Sequence, residues 1–433
     1  MNTKIAPIQS VIAKPHLGRW PRLSTSCAIA LISSLTACGG GGGGDQSAQP
    51  GTGGTGSYAS GSISGFGSVI INGIRYDDSS ADVIDDDDDS LSRNDLKLGM
   101  TIEVEGGAVT AASTTGGLGR AVASAIRVVN EFKGPFGNVS GNDFTMLGQN
   151  MKVDAGTIFE GATDLADAVS KQLSTCPFAE VYGYYNAGDQ TYTATRFACD
   201  DSATEYRLFG PVSNVNDTTF RIHALLVNYN STVLDDQTLN DGNMVRVRLS
   251  AGSYNDASPA GMATRITVRN RQAPDTSKAE VEGLITGRTE SSGTVNFSVN
   301  GLPVQVGSST QLEDGLNLAQ LQNGVRVEVE GRIVDGVLLA REIELEDDDD
   351  LRTQAENQEF VGLISAAQRV SGGGSFTLTT SGGRVYNVTY VDSALDDDIT
   401  SSQISNGNRV EVKGTVDADG ASISALEIDT EDD

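Results

Sequence analysis

Between Gly99 and Gly106 the chain alternates: Met100, Ile102 and Val104 fall on one side, Thr101, Glu103 and Glu105 on the other. A period of two predicts a strand with one buried face. The same glycine-bounded frame returns from Gly324 to Gly331 with Val327 and Val329, and from Gly407 to Gly414 with Val410 and Val412. A fourth copy starts at Gly242, keeps Val245 and Val247, and ends in Leu249.

Two more landmarks keep the same period. A Gly followed two residues later by Ile or Val opens each unit at Gly61, Gly137, Gly210, Gly283 and Gly362, with spacings of 76, 73, 73 and 79. An Ala followed three residues later by Ile or Phe closes each unit, at Ala123, Ala194, Ala263, Ala340 and Ala425. Independent landmarks on one period indicate internal repeats. Five β units are predicted, over 58–132, 133–203, 204–273, 277–346 and 357–430.

Turn chemistry orders the strands inside a unit. Asn72-Gly73, Asn300-Gly301 and Gly382-Gly383 predict the hairpin between strands two and three, because type I′ turns need positive φ at both central residues. A stretch with helical spacing follows, clearest at Leu165, Ala168, Val169 and Leu173, weaker at Leu312, Leu316 and Leu321. Asp335-Gly336 and Asp419-Gly420 then join the last two strands. The order β-β-β-(short helix)-β-β is that of an OB-like five-stranded barrel. The fold class expected is all-β with short helices, a tandem array of five small OB-like barrels; a β-sandwich or solenoid-like array competes, since strand order alone leaves closure open. Units this small are expected to pack end to end with their neighbours, as in other repeat arrays.

Unit two departs from the frame. Aligning Val181 and Gly183 on Val104 and Gly106 puts Cys176 at the leading glycine, and Cys199 lies two residues beyond Phe197. A turn at Ala187-Gly188 would place Cys176 and Cys199 opposite each other on one hairpin, predicting a disulfide. The wide spacing lacks the Cys-x-x-Cys pattern of a redox pair.

The first 37 residues carry Lys4, Lys14, Arg19 and Arg22, no acid, and a short apolar run from Cys27 to Leu35. That run is too short to span a bilayer. It ends in Leu35, Thr36, Ala37 and Cys38, which resembles the lipobox of bacterial lipoproteins, where cleavage precedes an acylated cysteine. The resemblance implies a signal peptide over 1–37, a lipid anchor on Cys38, and, with Gly39 next, the outer membrane of a Gram-negative cell. Residues 38–57, with six consecutive glycines from Gly39 to Gly44, read as a tether.

Charge narrows the partners. The formal net charge is −28, which opposes binding to phosphate backbones, so no nucleic-acid partner is expected. Acid runs occur at 85–89, 346–350, 396–398 and 431–433. Clustered carboxylates suit Ca²⁺, so Asp85, Asp86, Asp87, Asp88 and Asp89 form the candidate weak calcium site; no other cofactor is expected. The run lacks the glycine and glutamate spacing of an EF-hand, and solvated loops that keep sheet edges apart are the plainer reading.

Catalytic readings find little. Beyond the signal, His223 is the one histidine, and it falls in the alternating stretch from Ile222 to Val227, so a His-based triad or zinc cluster lacks members. Tyr182, Tyr184, Tyr185, Tyr192 and Tyr206 are either a stacking platform for a ligand or cross-strand packing.

The run from Gly61 through Phe66 and Asn72 to Gly73 is similar to the opening of the DUF5666 family, which looks like exported bacterial proteins, often lipoproteins, with several small β domains. Unit four keeps Val299, Asn300 and Gly301 of that opening. The resemblance implies no activity and no site. The expected function is a non-catalytic cell-envelope lipoprotein whose acidic repeats bind or scaffold an envelope protein or glycan; the alternative is a glycan-acting enzyme using carboxylates that the sequence does not single out. The oligomeric state is left open.

Overall fold

The computed structural model describes residues 56–111, 118–234, 238–269, 272–291, 294–313, 315–396 and 399–430. The signal, the lipidation residue Cys38, most of the tether and the acids at 397–398 and 431–433 lie outside the described residues.

The fifth unit shows how each closes. Gln358–Val370 pairs antiparallel with Gly373–Thr380, which pairs with Val385–Val391; Gln358–Val370 also pairs with Arg409–Val416, and that strand with Ser422–Thr430. Parallel pairing of Val385–Val391 with Ser422–Thr430, Val388 opposite Ile423, seals the barrel. The same parallel seam joins Ile74–Asp77 to Gly119–Val128, Gln149–Glu160 to Thr191–Asp200, Leu225–Asn228 to Ala260–Val268, and Leu302–Leu312 to Val337–Leu345. All five units are OB-like barrels, and the sandwich and solenoid alternatives drop out.

The repeated frame is the fourth strand of each barrel. Ile102 and Val104 are fully buried in Thr101–Gly106, as are Val327 and Val329 in Arg326–Val334. Its leading glycine turns the chain into the strand with φ of 74° at Gly99, 89° at Gly242, 85° at Gly324 and 91° at Gly407, a region that side chains with a Cβ disfavour. Its trailing glycine marks a β-bulge, present at Glu105/Gly106, Tyr182/Gly183, Arg248/Leu249, Glu330/Gly331 and Lys413/Gly414. A Cβ at Gly331 would lie 2.2 Å from the Leu339 carbonyl oxygen, so the bulge excludes a side chain there. Barrel three, with Leu249 at this place, finds the space on the next strand: a Cβ at Gly261 would sit 3.1 Å from Leu249 Cδ1.

The barrels do not follow one another end to end. Barrel one touches the other four. Its strand Ser57–Ser62 runs parallel to Thr276–Ser291 of barrel four, and its Gly65–Phe66 parallel to Gln358–Val370 of barrel five. The Gly99 carbonyl accepts from Thr195 Oγ1 of barrel two at 2.6 Å, and the loop 85–89 meets barrel three. The buried apolar residues follow the same grouping: one core runs through barrels one and five, one through two and three, and a third fills barrel four.

Several local expectations change. The helix in unit two is Leu165–Ser170, and it buries Leu165 and Ala168 while Val169 and Leu173 face solvent. Leu316 and Leu321 are buried in turns after Leu302–Leu312 rather than on a helix, because turns closed by Asn317 and Gln320 side chains replace it. His223 sits at φ 48° in the turn between Thr219–Ile222 and Leu225–Asn228, where the ring Nδ1 lies 3.1 Å from the Gly148 carbonyl oxygen. The tyrosines pack: Tyr182, Tyr184, Tyr192 and Tyr206 are buried, and the Tyr192 ring lies 4.7 Å from Phe132 and 5.2 Å from Phe209. They offer no open stacking platform.

Candidate functional site

The acid run folds on itself first. Asp85 Oδ1 accepts from the backbone of Asp87 at 2.9 Å and of Asp89 at 3.0 Å, which curls the loop and points its carboxylates outward from barrel one. Barrel three answers with the polar side of its frame strand. Arg246 reaches Asp85 at 3.3 Å, Asp87 at 3.1 Å and Glu131 at 2.6 Å. Arg248 holds Asp85 at 3.1 Å, Asp89 at 2.5 Å and also Asp87, while Arg265 reaches Asp89 at 3.2 Å. Asp88 pairs with Arg127 at 2.6 Å, and Asp86 accepts from the Asn130 backbone at 3.1 Å.

Asp85, Asp86 and Asp87 are buried, so this part of the run is not a solvated loop. The reason is tertiary: the counter-charges come from strands far along the chain. Asp85, Asp87 and Asp89 bring carboxylate oxygens within 4.8 Å of one another, an approach that suits a cation, and guanidinium groups already occupy those oxygens.

Two cavities lie beside this interlock. One of about 340 Å³ opens where barrels one, two and five meet, lined by Phe66, Lys97, Glu160, Arg196, Arg384 and Tyr386 among others. A second of about 340 Å³ lies where barrels one, two and three meet, and includes Asp85, Glu131, Glu180, Asp200 and Arg207. Lys97, Glu160 and Arg196 line both. Arg196 is buried, donates to the Leu98 carbonyl at 3.1 Å and pairs with Glu160 at 2.6 Å, so this ion pair stands between the cavities. In the second cavity, burial and then the nearby Glu131 charge push the Glu180 carboxyl up. Arg246 and Arg207 bind Glu131 itself.

Barrel four carries a third charged region. Its strand register sets Glu282 opposite Glu328, and Glu328 opposite Glu344, a row of like charges. Arg326 donates to Glu282 at 2.8 Å and lies 5.2 Å from the Tyr184 ring centre. Burial, then Glu282, pushes the Glu346 carboxyl up to about 8, and burial with Glu280 and Glu282 pushes Glu328 well above the usual range. A carboxyl whose folded pKa is raised favours the folded state below its unfolded value and loses that contribution as pH rises through the folded one. The unfolding free energy should therefore fall between pH 5 and 8, by on the order of 2 kcal/mol for partly screened Glu346. Urea unfolding of Glu346→Gln across that range should give a flatter profile than wild type; parallel profiles would count against it.

Neither cavity is legible as a motif, since each takes residues from three barrels. One signal existed. Arg196 is the one cation in the strand Thr191–Asp200, flanked by uncharged residues from Thr191 to Cys199.

The family model described as Domain of unknown function (DUF5666) matches residues 133–196, 282–344 and 361–429. The three DUF5666 matches fall in barrels two, four and five. The opening run from Gly61 to Gly73, where the sequence resemblance is fullest, lies outside the matched segments. Each DUF5666 match here reaches from the first strand of a barrel into its last. Among solved structures, the chain is similar to Drosophila Unr CSD456 at 16% identity and TM-score 0.13, over 53% of this chain and 98% of that one. It is also similar to a multidomain protein with nucleic acid binding domains from Streptococcus pneumoniae TIGR4 at 12% identity and TM-score 0.13, over 51% and 72%. No protein of curated function matches the chain.

Proposed function

We propose that this is a non-catalytic lipoprotein of the bacterial cell envelope, held to the membrane through Cys38, whose barrels together form a fixed body that binds or scaffolds an envelope protein or glycan. The supporting observation is the interlock in which Arg246 of barrel three meets Asp85 and Asp87 of barrel one and Glu131, whose strand Glu131–Gly134 pairs with Phe178–Asn186 of barrel two, through buried ion pairs. Breaking one member of a buried pair is costly, which holds these barrels in one arrangement. A fixed body suits a binding surface better than a string of independent units. The Cys176–Cys199 disulfide supports an oxidising compartment. The charge of −28 opposes binding to a phosphate backbone, which supports a partner other than nucleic acid. No resident cofactor is part of this reading, since arginines supply the positive charge at Asp85, Asp87 and Asp89.

Cys38→Ser is the test of anchoring. The wild-type protein is expected in the membrane pellet and the variant in the soluble periplasmic fraction; a variant that stays with membranes would overturn the lipid anchor. The enzyme alternative draws on Glu180, whose carboxyl is pushed up by burial and by the Glu131 charge in the cavity that both residues line. Cleavage of purified envelope glycan that is lost in Glu180→Gln would replace the binding reading with that one.

A further inference from the structure

The cavity between barrels one, two and five differs from the other charged regions in how its cations are used. Arg75, Arg246, Arg269 and Arg326 each end on a carboxylate. Arg384 does not. Its guanidinium lies 3.7 Å from the Phe66 ring centre and one terminal nitrogen donates to the Arg93 carbonyl. Its Nε is buried with no hydrogen-bond partner among the described residues. Burial pushes its pKa down, and Arg93 acts in the same direction; Asp78 and Tyr386 are the acidic groups that oppose this.

The other charges around the cavity divide clearly. Arg196 and Glu160 neutralise each other. The Asp419 carboxylate is taken by its own turn, accepting from the backbone of Ala421 and Ser422 at 2.8 Å and from Ser422 Oγ at 2.6 Å. Lys97 is exposed, and its ammonium makes no ion pair among the described residues. Two cations thus remain for a ligand. Ile158, Phe159, Tyr386 and Val416 add a carbon patch to a lining whose larger share is polar.

We propose that this cavity of about 340 Å³ binds a small organic carboxylate with an apolar or aromatic body, the carboxylate taken by Arg384 and Lys97 and the body lying against the carbon patch. A guanidinium that ends on no carboxylate favours an anion, because a charge-assisted hydrogen bond forms where solvent screening is weak. The carbon patch beside these cations favours an organic acid over a bare oxyanion. This inference rests on the binding reading above and gives it a ligand class.

The test is calorimetric titration of the mature chain with N-acetyl-L-phenylalanine, its neutral amide, and inorganic phosphate. The acid should bind saturably, and the amide and phosphate about tenfold more weakly or less. Arg384→Gln should weaken the acid about tenfold and Lys97→Gln about fivefold, with Arg352→Gln, on an exposed helix pair, unchanged. Melting temperature checks that Arg384→Gln is folded; if it is not, the exposed Lys97→Gln decides. No saturation up to about 10 mM, equal binding of acid and amide, or indifference to Lys97→Gln would overturn the proposal. Such a failure leaves the anchoring result with Cys38→Ser untouched, so the two readings fail separately.

Discussion

Arg246→Ala is expected to destabilise the protein by about 3 to 5 kcal/mol, the range for removing one partner of a buried ion pair. Only 3% of the side chain is exposed, and it is the group that meets Asp85, Asp87 and Glu131 together. Removing it leaves those carboxylates buried with less counter-charge, and Arg248 and Arg207 are already engaged with them. Urea unfolding at pH 7, followed by far-ultraviolet circular dichroism, measures the loss. The deficit should shrink as pH falls toward about 4, because carboxylates raised by losing their partner then gain protons in the folded state. Arg352→Ala, which removes an exposed pair with Asp349, should cost less than about 0.5 kcal/mol. A loss at Arg246 no larger than that control would mean that solvent, rather than the ion pairs, holds the loop.

Loss of the disulfide is the second large effect. The double variant Cys176→Ser, Cys199→Ser should lose about 3 kcal/mol in the chain-entropy treatment of a loop with sequence separation 23. Cys176 lies in the turn after the short helix, where its backbone N–H donates to the Lys171 carbonyl at 3.0 Å. The bond therefore ties the helical corner of barrel two to its last strand. A Cβ at Gly161 would lie 2.7 Å from Cys199 Cβ, so the site is packed on the other side as well. Reducing agent should lower the melting temperature of wild type and leave the double variant unchanged. A thiol titration of the unfolded, unreduced chain from Gly39 onward should find no free thiol; two would refute the bond.

The partners in this bond were readable from residue spacing, but their register was not. A turn at Ala187-Gly188 would have set Cys176 opposite Cys199; instead Asn186 pairs with Thr191, and the bulge at Tyr182/Gly183 adds one more step, so Cys199 faces Ala179. A longer turn and a bulge each shift register without leaving a strong mark in composition. Cys176 reaches its partner from the turn before the strand rather than from within it. The acid run shows the same limit. Five consecutive aspartates read as solvent-facing because nothing nearby in sequence opposes them, and Arg246, Arg248 and Arg265 stand in another barrel.

The sequence by itself determined the unit: its five copies, the order of its strands, the Asn-Gly and Asp-Gly turns, and the glycines at either end of the fourth strand. These depend on period-two burial and on positive φ, which are local demands that one residue type can meet. Tertiary structure decided which barrel meets which, and with it the fate of the charged faces. A polar strand face looks alike in sequence whether water or another barrel covers it; only the assembled fold placed the guanidinium of Arg246 among Asp85, Asp87 and Glu131, and set Arg384, which ends on no carboxylate, beside a cavity.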